Sequence, residues 1–183
     1  MYEHLKPFKR KLLNLEIQKP LPPWKFKTAI LVGGLCSVGF DRDTDNLLIV
    51  SHSGRGVVDC STCKKIARDR EYYYENKYLE AEGIGCLSGK IIKMAGIDGG
   101  GLPTSTEDGW CLELVTINFP QEMIFLVEPG SDLYSMTYNR SDNFTKIEQR
   151  ESIRAYGFSY TGQSFIIATS SDLIIYNRSN KLS

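Results

Sequence analysis

Cys60-Ser61-Thr62-Cys63 is the most specific chemical pattern in the chain. Two thiols at this spacing can reach one tetrahedral centre from a tight turn, so the pair could begin a zinc site. Four ligands close such a site, and no second CxxC or HxxxH pair stands elsewhere, so His52, Cys36 or Cys86 would have to complete it. The same spacing serves dithiol redox chemistry when the first thiol opens a helix, which lowers its pKa. Here the pair follows a strand-like run and precedes Lys64-Lys65-Ile66, which is no helix start. The expectation is two free thiols in a β-hairpin. Cys60, Cys63 and His52 are the residues to inspect for metal, and no cofactor is assigned.

Asp41, Asp43 and Asp45 occupy positions 1, 3 and 5 of a calcium-loop pattern. Asn46 then stands where glycine makes the bend, and His52 where a bidentate carboxylate belongs. A solvated, self-bonded Asp turn is expected instead. His52 is flanked by Ser51 and Ser53, but neighbours on a strand face opposite sides, so neither makes a nucleophile–base pair with it. A Cys–His pair across strands would support a small hydrolase, and metal held by the aspartates a metal-dependent enzyme; these form the rival catalytic reading. Gly96 to Gly109 is the longest stretch without a strand pattern, and it lacks both the Gly-Lys-Ser/Thr and the GxGxxG spacing of phosphate loops. Long loops on β scaffolds carry recognition. Asp98, Gly99, Gly100, Gly101, Glu107 and Asp108, with the neighbouring Trp110, are therefore the expected binding surface.

The elements that must position these residues repeat. Apolar strands opening after Asn46, Glu122 and Gln163 each run into a short polar turn with Ser or Gly and then a second strand. Asn46 and Glu122 lie 76 residues apart and Glu122 and Gln163 41, so a unit of about 40 residues fits, with a diverged copy near Ile84 where Cys86 to Ile97 reads as strand-like. Tyr138-Asn139-Arg140-Ser141 is echoed by Tyr176-Asn177-Arg178-Ser179. Leu47, Ile49, Ile124, Leu126, Phe165 and Ile167 are expected at equivalent inward positions, because alternate strand residues face one side. Ala67 to Glu82, rich in charge and tyrosine, reads as either a helix or an outer strand.

Gly39-Phe40-Asp41-Arg42-Asp43 through Val58-Asp59, followed by Thr62-Cys63-Lys64, resembles the region of the second, third and fourth strands (b, c and d) of a WD-repeat β-propeller blade. Ile153 to Asn177 resembles a second. The resemblance implies a rigid protein-binding scaffold without intrinsic catalysis. The fold expected is all-β: antiparallel, propeller-like hairpin units of about 40 residues behind a short N-terminal arm. Another antiparallel barrel or sandwich, or an α+β fold, is the alternative.

Composition bounds the partners. In 183 residues, 22 Lys and Arg balance 22 Asp and Glu, which argues against a protein that coats nucleic acid or an anionic membrane. The longest aliphatic or aromatic run, Met123 to Val127, is far short of a membrane helix. Five cysteines with no export signal point to a reducing cytoplasm. Residues 1–27 form a basic arm with seven Lys or Arg against Glu3 and Glu16. Leu5, Phe8, Leu12 and Leu15 give it a short amphipathic helix, and Lys19-Pro20-Leu21-Pro22-Pro23 an extended linker. Residues 28–183 are expected as a single β-rich domain. The functional expectation is a non-catalytic, cytoplasmic protein-interaction module whose partner is another protein. A third reading is an assembly completed by a second copy.

Overall fold

The computed structural model describes residues 3–134 and 143–178. Helix α1 spans Lys6–Asn14 and buries Phe8 and Leu12, one turn apart on the same face. Leu15, the last of the four spaced apolar residues, lies just beyond it in extended conformation. After the proline linker the described elements are almost all strands. β1 (Trp24–Leu31) precedes the hairpin series β2 (Leu35–Phe40), β3 (Asn46–Ser51), β4 (Gly54–Asp59) and β5 (Lys64–Arg68). Three short strands follow: β6 (Glu80–Glu82), β7 (Ile91–Lys93) and β8 (Ala95–Gly96). β9 (Cys111–Val115), β10 (Gln121–Val127) and β11 (Phe144–Glu151) form a third group. β12 (Ala155–Phe158), β13 (Ser164–Ala168) and β14 (Asp172–Arg178) complete the chain.

Among the described residues every strand pairing is antiparallel, and four sheets result: β5-β4-β3-β2-β8, β6-β7, β11-β10-β9 and β1-β14-β13-β12. The last joins the two ends of the chain, with β1 hydrogen-bonded along β14 from Trp24↔Arg178 to Leu31↔Asp172. A domain boundary at residue 27 therefore falls inside a strand, and the basic segment from Trp24 onward is part of the four-stranded sheet.

Alternation along the strands gives the central sheets two apolar faces, and those faces stack the layers. One face of β2-β3-β4 packs on Ile166, Ala168, Leu173 and Ile175. The opposite face of the β12-β13-β14 sheet, with Phe165, Ile167, Ile174 and Tyr176, packs on Leu112, Ile124, Leu126 and Ile147. Leu48, Val50 and Val57 face outward from there onto Ala81, Ile92 and Met94 of the short β6-β7 layer. At the far end Met123, Phe125 and Val127 are covered by Phe8 and Leu12 of α1. The molecule is thus a stack that runs helix, three strands, four strands, five strands, two strands.

All six residues expected to point inward are buried, but they are not equivalent. Leu47 and Ile49 face the four-stranded sheet from one side, and Ile124 and Leu126 face it from the other. Phe165 and Ile167 lie within that sheet and meet Ile124 and Leu126. Met123 and Phe125 take the other side of β10, beneath α1. The unit expected near Ile84 is reduced to a 3-10 turn at Gly85–Leu87 and two strands of three and two residues. Between Arg68 and Glu80 there is neither helix nor strand. Asn76 organises the end of that segment, its Oδ1 accepting from the Tyr78 and Glu80 amides.

Candidate functional site

The β2–β3 turn, the β4–β5 turn and the β12–β13 turn emerge at the same end of the stack. Cross-sheet bonds tie them together. Thr161 Oγ1 donates to Asp45 Oδ1 at 2.8 Å, and Asn177 Nδ2 to the Cys60 carbonyl at 2.8 Å. The Arg42 guanidinium lies over the Tyr160 ring, 5.7 Å from its centre. Sheet stacking brings together turns whose residues are more than a hundred positions apart.

Three clefts open on this face. The first, about 670 Å³, lies between the Pro103–Asp108 segment and the Ser159–Gln163 turn, with Arg178 at its base. The second, about 460 Å³, lies between Lys25 and Lys27 of β1 and the turns bearing Asp45 and Ser61. The third, about 470 Å³, runs from Asp41–Asp43 to Lys90–Lys93. Tyr160, 44% exposed, lines both the first and the third, and Gln163 and Arg178 line both the first and the second. The first cleft therefore shares wall residues with each of the other two.

The walls are held by specific bonds. Arg178 Nη1 and Nη2 each donate to Asp108 at 2.6 Å, a bidentate pair, while its guanidinium stacks 4.7 Å above the Trp24 ring. The Arg178 hydrogen bonds, helped by the Thr106 hydroxyl, hold the Asp108 carboxyl well below the usual carboxylate range. Because the folded-state value is the lower one, the stabilisation from this pair is present at neutral pH and lost only as pH falls through and below the ordinary carboxylate range. Thr106 closes the segment, accepting from the Trp110 amide at Oγ1 while the Thr106 amide donates to the Trp110 carbonyl. Two hydroxyls in the first cleft are committed to local turns: Ser159 Oγ meets the Ser164 carbonyl and Thr161, and Thr106 Oγ1 donates to Asp108. What the arrangement can do is hold a ligand with charge and hydrogen bonds on a fixed frame.

The expected binding loop is divided by the fold. Glu107 and Asp108 line the first cleft. Asp98, Gly99, Gly100 and Gly101 are exposed elsewhere, in a turn closed by mutual Gly96–Gly99 backbone bonds beside β8. Gly99 and Gly100 have φ of 111° and 79°, and a Cβ on Gly100 would stand 2.2 Å from the Met94 carbonyl oxygen. These glycines permit a close turn. Trp110 is 5% exposed and packs edge-on against Trp24, ring centres 6.2 Å apart. It belongs to the core that supports the cleft, and offers no surface for a partner.

The other chemical patterns resolve as structure. Asp41 is buried and not solvated as expected: burial alone would raise its carboxyl, but bonds from Lys90 at 2.7 Å and Thr44 at 2.8 Å outweigh that and hold it low. Lys90 also reaches Asp43 at 3.3 Å, so an ammonium sits between the carboxylates of the calcium-like turn. All five cysteines are free. Cys60 is in the core, and burial pushes its thiol up, as it does that of Cys63, the opposite of a redox-activated pair. His52 is exposed in the β3–β4 turn at the far end of its sheet from the clefts, its amide bonded to the Gly34 carbonyl. Among the described residues no three His, Cys, Asp or Glu side chains converge as metal ligands, and no helix is long and apolar enough to cross a membrane.

Reading the sequence missed Tyr160, Arg42 and Arg178. A signal was there. Ser159-Tyr160-Thr161-Gly162 places a large aromatic in a tight polar turn where nothing in the strand pattern asks for one. No protein-family model matches the chain, and no curated protein resembles it significantly.

Proposed function

We propose that this protein is a non-catalytic interaction module that holds a protein partner across the turn-bearing face centred on Tyr160. The observation that carries this reading is one exposed tyrosine, Tyr160, that lines two of the three clefts, with the Arg42 guanidinium over its ring and Arg178 lining the first cleft alongside it. Tyr and Arg are the side chains on which binding energy concentrates, and a rigid frame limits the entropy lost on docking. The stack supports the same reading. Antiparallel sheets packed face to face, with hairpin units in chain order, suit a small propeller-like scaffold of the WD-repeat kind, here open between the β6-β7 layer and the α1-covered sheet. A reducing, cytoplasmic setting suits five free thiols.

Photo-crosslinking tests the proposal. With a photoreactive phenylalanine analogue in place of Tyr160, irradiation in host lysate should give a discrete adduct that excess unlabelled protein removes. The same probe at Leu31, exposed at the other end of β1, is the control. Adducts of equal pattern and yield from both positions would contradict the assignment.

A further inference from the structure

The second cleft has features that the proposed protein docking does not use. Lys25 and Lys27 both line it, and neither takes part in an ion pair with a described residue. Arg178 adds a third cation, but its charge is answered by Asp108. The carboxylate within the cleft is Asp45, whose Oδ1 accepts from Thr161. The balance is positive. Lysines on an edge strand often serve only to discourage a second chain from pairing there. These two differ because the cleft they line is also lined by Ser164 and Asn177, each of which carries a buried side-chain oxygen without a hydrogen-bond partner. Ser164 Oγ, Asn177 Oδ1 and Arg178 Nε are buried without a hydrogen-bond partner, and all three residues line this cleft. Trp24 Nε1 and Thr145 Oγ1, the other unpartnered buried atoms among the described residues, do not belong to this cleft. Ser164 and Asn177 are cross-strand partners, each more than nine-tenths buried. Buried polar groups in native proteins are nearly always bonded to protein, water or ligand, so a cluster of exceptions at one cleft calls for a polar occupant.

We propose that this cleft is a binding site for a small oxyanion ligand, its phosphate or carboxylate held by Lys25 and Lys27. The volume, about 460 Å³, lies in the range of small-molecule sites. Two of the unpartnered atoms, Asn177 Oδ1 and Ser164 Oγ, accept hydrogen bonds. The Asn177 orientation is fixed because its Nδ2 already donates to the Cys60 and Ser61 carbonyls. The ligand that suits both features carries hydroxyl donors next to its anionic group, directly or through a water it orders on the cleft floor.

The test is a titration of the full-length, isotope-labelled protein with inorganic phosphate and with glycerol 3-phosphate, each against sodium chloride at matched ionic strength. Saturable amide shifts are expected around residues 25–28, 61–63 and 163–164, with the hydroxylated phosphate bound more tightly. Lys25→Gln/Lys27→Gln should weaken binding by at least about tenfold with an unchanged circular dichroism spectrum and urea midpoint. Should the double variant fold poorly, each single variant is expected to weaken binding several-fold on its own. Shifts no larger than those from chloride, or equal in the lysine variants, would overturn the proposal. So would a poly-glutamate peptide that saturates the site while neither phosphate does, since that would assign the anion to a macromolecule.

Discussion

Phe165→Ala is expected to lower the unfolding free energy by about 3–5 kcal/mol, read as a shift in the urea midpoint with the slope unchanged. Phe165 is fully buried on β13 and meets three other rings of the stack. Its centre is 5.0 Å from Trp24, 5.4 Å from Phe158 and 4.4 Å from Tyr176, on which it stacks at 13°. Removing it opens a hole between the four-stranded and three-stranded sheets, whose β-strand backbones cannot close in without breaking their ladders. Against a total stability of about 5–15 kcal/mol for a domain, that is a large fraction. Phe165→Leu, which keeps most of the volume, should recover more than half of the loss. A cost under about 1 kcal/mol for the alanine variant would mean that the two sheets do not pack through this face.

Trp24→Ala should cost a comparable amount, about 3–5 kcal/mol, although Trp24 lies in the basic segment, residues 1–27, that the sequence sets apart from the β-rich domain as an arm. The indole is 1% exposed and meets Trp110, Phe158 and Phe165 in edge or tilted contacts. It also carries the Arg178 guanidinium on its face, so the substitution loosens the cleft as well as the core. Trp24 and Phe165 are in contact, and the double variant is expected to lose less than the two single losses together. A neutral Trp24→Ala would show β1 to be an ornament on a sheet complete without it.

The strands were legible where apolar residues run without interruption. β3, β10, β13 and β14 can be found this way, as can α1 from Phe8 and Leu12. Their phase was not, because Met123 to Val127 is apolar at every position and both faces of that strand are buried, so nothing local says which face meets which neighbour. β1 was hidden for a different reason. Its Lys25 and Lys27 interrupt the pattern, and its partner β14 lies at the opposite end of the chain. The Gly-rich loop looked like one recognition element, but its glycines at 99 and 100 answer a turn beside β8 while Glu107 and Asp108 answer a cleft wall. The site itself is a product of stacking. Residues 41–45, 103–108 and 159–163 form one surface only because three sheets bring their turns to the same end, and no spacing along the chain records that.

The most direct test of the account uses the partner captured through the Tyr160 probe. Amide hydrogen exchange on the full-length protein, with and without that partner, should show new protection in the 41–45, 103–108 and 159–163 turns, and little change at the opposite end around His52. The competing surface is the exposed Tyr72, Tyr74 and Tyr78 together with Ile91 on the outer side of the two-stranded layer. Protection concentrated there, with the three turns exchanging as they do in the free protein, would contradict the placement of the binding site around Tyr160.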